Sequence, residues 1–381
     1  MRALFTSTLF LLLTMLSFPA SGQKVWHWFV DLITKGDEFD STYIYQRPAH
    51  FAVDMSYDIQ NFSVDMNGNY KRTMEERDAD DNVTATAQVP VQMEMDFAGK
   101  MKSGAGIGAS YGGLALGYGF NIGRGDDKGS NTFNLAYRGH KWGIGVNYYG
   151  LNHYAHNEVT YATDTSRWYS HTELTSNSPC DVYRLAVDAY WSVRRRAFAY
   201  TAAYKCDMLQ RRSAGSLIIC ANLLFSGMQC QPGDEIFLSS GMQSYSFMQA
   251  SAGAGYSHNI VFLHRDPTGP NYQGLRNLTL NLTLLPMLTF RNSFTTRPAD
   301  GSDDVKVTCP VGPSANSSIA LGYSIGRIYA GLQYSHVFYY FTSGEDLKPE
   351  DLHLQDRPIS DLAFNVLMQN WKVMAMVVVN I

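Results

Sequence analysis

The chain has 381 residues, of which 45% are hydrophobic, 13% aromatic and only 17% charged. Lysine and arginine total 30 against 34 acidic residues, and the formal net charge of −4 does not favour binding to nucleic acid. After the N-terminal stretch the longest strictly apolar run is residues 373–379, which is too short for a membrane-spanning helix of about 20 residues.

The first 22 residues have the organisation of a secretory signal peptide. Arg2 supplies a positive start, residues 4–18 form an apolar core, and small residues at 20–22 offer a cleavage site. A retained membrane anchor is the alternative, but the apolar core is short for a bilayer span. We therefore predict export and a mature chain that begins at Gln23.

Apolar and polar side chains alternate along most of the mature chain, as in strands whose two faces meet different surroundings. The pattern is clearest at residues 277–290, where leucine and phenylalanine share one face and asparagine and threonine share the other. Strands are predicted at residues 51–59, 86–110, 114–122, 132–138, 142–148, 183–191, 198–204, 248–256, 277–290, 319–325, 328–340 and 371–381. Polar outer loops are predicted near residues 67–85, 153–180, 228–243 and 293–314, and tight turns at residues 112–113, 139–141 and 194–196.

An exported chain with this pattern predicts an all-β fold, a closed antiparallel transmembrane β-barrel that is apolar towards lipid and polar towards its lumen. Residues 51–381 would form the barrel, and residues 23–50 a periplasmic N-terminal segment. We favour twelve strands, with short periplasmic turns and longer extracellular loops, because chain ends on one side require an even number. Fourteen strands follow if a turn at residues 210–213 divides the region 196–227. A soluble secreted β-sandwich also alternates and is the other alternative.

Two residue types add local expectations. Pro286 predicts a β-bulge, because proline donates no hydrogen bond to a strand ladder. The five cysteines form no Cys-x-x-Cys pair, and their odd number leaves at least one unpaired in a monomer. A bridge between Cys220 and Cys230 and isolated buried thiols are both compatible with the spacing. The cysteines are Cys180, Cys206, Cys220, Cys230 and Cys309.

Residues 35–48 contain a Lys-Gly-x-Asp element, an Asp-Ser-Thr-Tyr-Ile stretch and a proline, formed by Lys35, Gly36, Asp37, Asp40, Ser41, Thr42, Tyr43, Ile44 and Pro48. This arrangement resembles the start of a Bacteroidetes-type outer-membrane family known as domain of unknown function 4421. Residues 111–120 and 212–216 are also similar to that family, although Tyr111-Gly112-Gly113 stands where its members carry Tyr-Lys-Trp. The resemblance implies an outer-membrane barrel and assigns no catalytic residue.

Charged residues occur at positions that the alternation assigns to the polar face. A charge on the lipid face would cost about 2–4 kcal/mol at the bilayer midplane, so we predict that these side chains point into the lumen. They would either line a hydrated path or pair across the lumen, and the narrow interior of a twelve-stranded barrel favours pairing. The five lumen-facing charges are Asp54, Asp58, Arg138, Arg184 and Asp188.

The sequence predicts no catalytic site and no metal site. Adjacent Ser-His pairs at residues 170–171, 257–258 and 335–336 point to opposite faces of a strand, so neither residue can activate the other. His153, His156 and Glu158 are spaced too loosely to predict a metal site.

The pattern leaves two functional hypotheses. The first is a non-enzymatic outer-membrane barrel with a structural, narrow-pore or surface-binding role. It needs no cofactor, its partner is outer-membrane lipid, and its extracellular loops would bind a small solute or surface ligand. The alternative is an outer-membrane lipid hydrolase of the phospholipase type, which requires a serine and a histidine within hydrogen-bond reach on the lipid-facing surface. The oligomeric state is open.

Overall fold

The computed structural model describes residues 39–47, 51–77, 82–98, 102–122, 131–139, 141–154, 157–163, 170–176, 180–204, 208–230, 242–298, 305–309, 311–342 and 359–381. The predicted signal peptide lies outside these residues, as does most of the predicted N-terminal segment. The described part of the chain contains no helix long and apolar enough to cross a membrane.

The described residues form eighteen β-strands. They are β1 (Ile44–Gln46), β2 (Phe51–Arg77), β3 (Val83–Ala98), β4 (Lys102–Tyr111), β5 (Leu114–Asn121), β6 (Asn131–Arg138), β7 (Trp142–Tyr154), β8 (Asn157–Thr163), β9 (Ser170–Ser176), β10 (Cys180–Ser192), β11 (Met208–Gln210), β12 (Ala214–Cys230), β13 (Met242–Arg265), β14 (Arg276–Pro298), β15 (Val305–Cys309), β16 (Gly312–Ile325), β17 (Ile328–Thr342) and β18 (Ile359–Asn380).

A closed antiparallel ring is the main feature of the fold. It closes where the last strand, β18, pairs with β2, so that Val379 lies opposite Val53. The prediction of a twelve-stranded closed barrel is therefore confirmed, and the sandwich and the fourteen-strand count are wrong. The twelve ring strands are β2, β4, β5, β6, β7, β10, β12, β13, β14, β16, β17 and β18.

The wall of the ring has an apolar outer face and a polar inner face. Along β14, Leu284 and Leu288 point outward and are 58% and 59% exposed, whereas Thr279 and Asn281 point inward and are 0% exposed. Inward side chains are hydrogen-bonded to one another, as in the contact of Ser257 Oγ with a threonine hydroxyl of β14 at 2.7 Å. The alternation predicted for residues 277–290 thus separates the outside of the barrel from its lumen.

Connections differ in length between the two ends of the barrel. At the short-turn end, Gly112 and Gly113 join β4 to β5 with φ of 55° and 89°, values that favour glycine. The first and last ring strands meet at this end, where the Ile381 amide donates to the Phe51 carbonyl at 2.9 Å. The connections at the opposite, long-loop end are longer, as predicted, except that β10–β12 and β13–β14 are joined by long connections at the short-turn end.

Three predicted loops contain strands. One of them, residues 293–314, includes the end of β14 and the strand β15, which pairs with β14. Residues 67–85 were expected to be a polar loop, but β2 continues to Arg77 and pairs with β3. Residues 153–180 include β8 and β9, and β8 pairs with β3. The strand predicted at residues 86–110 is two strands, β3 and β4. At the long-loop end, strands continue to pair beyond the closed ring. A polar sequence in this region is therefore compatible with a regular strand.

The expected bulge at Pro286 is absent. The partners Gly253–Met287 and Tyr256–Leu284 keep one register across the proline, and the shift falls instead at Phe290. The strands approach closely here, since a Cβ atom at Gly253 would collide with the Pro286 carbonyl oxygen. Glycine in β13 accommodates the proline without a change of register.

Of the two arrangements compatible with the cysteine spacing, a Cys220–Cys230 bridge is wrong, and Cys220 agrees with the alternative of an isolated buried thiol. Cys220 is a free, buried thiol whose Sγ lies 3.6 Å from the Gly253 carbonyl oxygen. Cys230 is instead the register partner of Cys180 across β10 and β12.

We expect a disulfide between Cys180 and Cys230 in the oxidised protein. Directly opposite residues of an antiparallel pair have Cα atoms about 4.5–5.5 Å apart, within the range of disulfides. Mass spectrometry of a non-reduced digest should find this crosslink, while Cys220 becomes alkylated only after unfolding. Alkylation of Cys180 in the folded, oxidised protein would contradict the pairing.

Candidate functional site in the barrel lumen

The lumen contains a cavity of about 400 Å³. All five charged residues that the sequence assigned to the polar face line it: Asp54, Asp58, Arg138, Arg184 and Asp188. A sixth charge, Lys372 of β18, also lines the cavity and was not predicted. Its position between Trp371 and Val373 would have been a sufficient signal, because alternation along the last strand places it inward.

Glycines in β4 provide the space for these acids. Gly104, Gly106 and Gly108 are the register partners of Asp58, Ser56 and Asp54 in β2. A Cβ atom at Gly104 would lie only 2.7 Å from the Asp58 carboxylate. The glycine-rich stretch therefore gives packing room to polar side chains in the lumen.

An ion pair joins β2 to β18 inside the lumen. The Lys372 ammonium group contacts the Asp58 carboxylate, and these side chains are only 26% and 13% exposed. Tyr149 of β7, which is opposite Arg184 in the β7–β10 register, lines the same cavity.

Asp188 is held by amides rather than by a cation. It accepts hydrogen bonds from Asn222 Nδ2 at 2.6 Å and from Asn147 Nδ2 at 3.1 Å. Tyr339 in turn donates to Asn222 Oδ1 at 2.8 Å, and the Arg184 guanidinium lies beside the same tyrosine. Arg138 and Arg184 also line the cavity, and neither belongs to the Asp58–Lys372 ion pair.

We expect Lys372→Met to destabilise the barrel by about 1–3 kcal/mol, because Asp58 would be left in the lumen without its cation. Adding Asp58→Asn should recover much of that loss, since the uncompensated charge is then removed. Reversible urea unfolding in lipid vesicles measures both variants. Equal stability of the wild type and the single variant would contradict a stabilising pair.

Residues 197–204 and 208–210, which we call the lumen segment, lie inside the barrel and come between β10 and β12 along the chain. A strand was expected at residues 198–204, but this stretch folds as consecutive turns. Phe198 and Ala199 are fully buried, and Phe198 belongs to an apolar cluster with Ile218 and Leu285. The expectation failed because apolar residues at every second position can also pack against the inner wall without strand pairing.

The described part of the lumen segment is bonded to the inner wall by side chains of four strands. Tyr204 donates to Asn281 Oδ1 at 2.7 Å, and Tyr329 donates to the Ala203 carbonyl at 2.6 Å. Asn259 Nδ2 donates to the Ala199 carbonyl at 2.7 Å. The Tyr204 hydroxyl is also 2.7 Å from Ser318 Oγ. These bonds satisfy a backbone that has no ladder of its own.

Gln210 connects the lumen segment to the N-terminal strand. Its Nε2 donates to the Ala197 carbonyl at 2.7 Å and to the Tyr43 carbonyl at 3.2 Å. The short strand β1 pairs with β11, which places Ile44 opposite Gln210. Tyr190 of the wall packs against Tyr200, with ring centroids 4.4 Å apart and ring planes tilted by 47°. Tyr200 also lines the cavity, so the lumen segment borders the cavity on the side of the short-turn end.

An exposed ion pair lies next to the lumen segment at the short-turn end. Arg211 Nη2 contacts Asp266 Oδ1 at 2.6 Å, and His264 Nε2 lies 3.0 Å from the same oxygen. Partial burial raises the pKa of Asp266, but hydrogen bonds from His264 and Arg211 outweigh it and hold this pKa below its usual value. The link between segment and wall is therefore ionic at neutral pH.

The histidines whose side chains the structure describes are His258, His264 and His336. His258 lies near the Tyr256 hydroxyl at 3.4 Å, and His264 contacts Asp266 and Asn277. Among these described side chains no serine hydroxyl is bonded to a histidine ring. His156 lies outside the described residues, and so do the side chains of His153 and Glu158.

Two solved structures are similar to this chain at 7% sequence identity. The outer-membrane protease OmpT of Escherichia coli gives a TM-score of 0.33, with 86% of this chain and 97% of that chain covered. A FadL homologue of Pseudomonas aeruginosa gives a TM-score of 0.21, with 87% and 90% covered. No curated protein sequence matches the chain.

The chain also matches a protein family. Residues 73–347 match the family described as Domain of unknown function (DUF4421). This match covers most of the chain, including ring strands from β4 to β17 and the lumen segment. The chain therefore belongs to the DUF4421 family.

Proposed function

We propose that this protein is an integral outer-membrane β-barrel without enzymatic activity, exported by its N-terminal signal peptide in a bacterium of the Bacteroidetes type. Its lumen is a closed narrow pore that binds a small polar solute. The main support for this proposal is the position of the lumen segment. It is hydrogen-bonded to the inner wall at the short-turn end and borders a polar cavity. The alternative, a lipid hydrolase, has no supporting contact among the described side chains.

The apolar outer wall supports the membrane location. Large side chains such as Leu284, Leu288 and Phe290 are 58%, 59% and 62% exposed on one strand face. A soluble monomer rarely exposes so continuous an apolar surface, whereas a lipid bilayer covers it. In this orientation the short-turn end faces the periplasm and the long-loop end faces the outside.

The cavity defines the class of solute. A volume of about 400 Å³ fits a small molecule. Asp54 and Asp188 supply acceptors, Arg138 and Arg184 supply guanidinium donors, and tyrosines of the lumen segment add flat apolar surface. Such a set suits a polar solute with both donor and acceptor groups, entering from the long-loop end.

Planar bilayer recording of the purified full-length protein tests the proposal. The wild type should insert, as shown by a heat-dependent gel shift of reconstituted samples, and should remain closed or open only briefly. Stable open-pore conductance of the inserted wild type would contradict a closed lumen. Failure of the protein to enter bilayers would contradict the membrane location.

A further inference from the structure

The outer face of the barrel carries two arginines directly opposite each other at the short-turn end. Arg265 ends β13, Arg276 begins β14, and the two are register partners. The preceding pair, His264 and Asn277, points inward and is in contact at 3.1 Å. Because successive residues alternate between faces, Arg265 and Arg276 point outward, and both are exposed.

These arginines lie at the edge of an apolar wall. Leu263 and Leu278 form the next outward-facing pair, and Ile325 of β16 is the partner of Arg276 on the other side. Long cationic side chains at the end of an apolar wall place their stems on hydrocarbon and their charged groups at the bilayer surface. The pair thus occupies the level of lipid headgroups.

Among the residues that the structure describes, no acidic group forms an ion pair with either arginine. Like charges directly opposite each other on a sheet are destabilising. The nearest acid along the chain, Asp266, is engaged by Arg211 at 2.6 Å and by His264 at 3.0 Å. An anion from outside the protein would therefore neutralise these two positive charges.

We propose that Arg265 and Arg276 together bind the phosphate of a phospholipid headgroup in the leaflet at the short-turn end. Two guanidinium groups side by side present paired N–H donors that match phosphate oxygens. The adjoining leucines and isoleucine contact the acyl chains of the same lipid. This inference rests on the proposed membrane location, because only a bilayer brings phosphate and hydrocarbon to this edge together.

Native mass spectrometry of the detergent-solubilised full-length barrel tests the site with phosphatidylglycerol as the probe. The wild type should retain this lipid and not diacylglycerol, which lacks the phosphate. The double variant Arg265→Gln/Arg276→Gln should bind phosphatidylglycerol roughly tenfold or more weakly, as expected for the loss of two interfacial charges. The matched control Arg194→Gln/Arg195→Gln removes two charges from a turn at the same end and should bind as the wild type does.

Three results would overturn the lipid site: equal retention of diacylglycerol, unchanged binding by the Arg265/Arg276 variant, or displacement of the lipid by soluble glycerol phosphate at equal concentration. The last result would mean that the headgroup alone is recognised. Insertion of the same samples into liposomes is scored separately by the heat-dependent gel shift. A barrel that does not insert overturns the proposed function as well, whereas an inserted barrel without arginine-dependent lipid retention overturns only this inference.

Discussion

Replacing residues 195–212 by a short Gly/Ser turn should convert a closed barrel into an open pore. In the wild type the lumen segment lies inside the short-turn end, held by hydrogen bonds such as Tyr204 to Asn281 at 2.7 Å and Asn259 to the Ala199 carbonyl at 2.7 Å. Without it the cavity would open at both ends. Planar bilayers should then show stable conductance steps where the wild type shows none or brief ones.

Point variants keep this prediction testable if the deletion does not fold. Tyr200→Ala/Tyr204→Ala retains the chain length but removes two rings that line the cavity, and should raise the frequency of brief openings. Trp191→Ala is the matched control, since this aromatic residue of β10 at the same end is 41% exposed on the outer wall. A folded, inserted deletion variant that stays silent would show that the segment is not the barrier.

Gly255→Val should give one of the largest losses of stability in the wall, about 1–3 kcal/mol or more. A Cβ atom at Gly255 would collide with the Leu284 carbonyl oxygen and would lie 2.7 Å from the Leu285 Cα. These are backbone atoms of β14, so no side-chain rotation relieves the contact. Urea unfolding in vesicles measures the loss.

Gly117→Ala is the matched control for this prediction. Gly117 is also an inward-facing glycine of a ring strand, but an added Cβ would meet its nearest atom, Asn134 Cβ, at an ordinary 3.8 Å. This variant should retain nearly full stability. If both variants unfold at the same urea concentration, close strand approach at Pro286 does not determine the stability of the wall.

The closed ring was predictable from local pattern, whereas the content of its lumen was not. Alternation in residues 277–290 and 371–381 states which side chains share a face. The predicted count of twelve agrees with the ring although it included residues 198–204, because β12 (Ala214–Cys230) takes the place of that stretch in the ring. The same alternation misassigned residues 198–204, because periodicity does not distinguish a strand from a segment that packs on the inner wall. The polar residues 67–77 were misassigned as a loop because pairing with β3, a long-range contact, keeps them extended.

The candidate site also has a part that the sequence predicts and a part that it does not. Asp58 and Arg184 could be placed on the inner face from their neighbours alone, since side-chain direction in a strand is a local property. That Asp58 contacts Lys372 could not, because 314 residues separate positions that only ring closure brings together.

The sequence by itself determined a two-faced wall and the charges that face inward, because both depend on the residues next along the chain. The tertiary structure decided which charges meet, that the lumen segment packs inside one end of the barrel, and that Arg265 faces Arg276 on the outside. These depend on register and ring closure, which place residues distant along the chain within a few ångströms of one another.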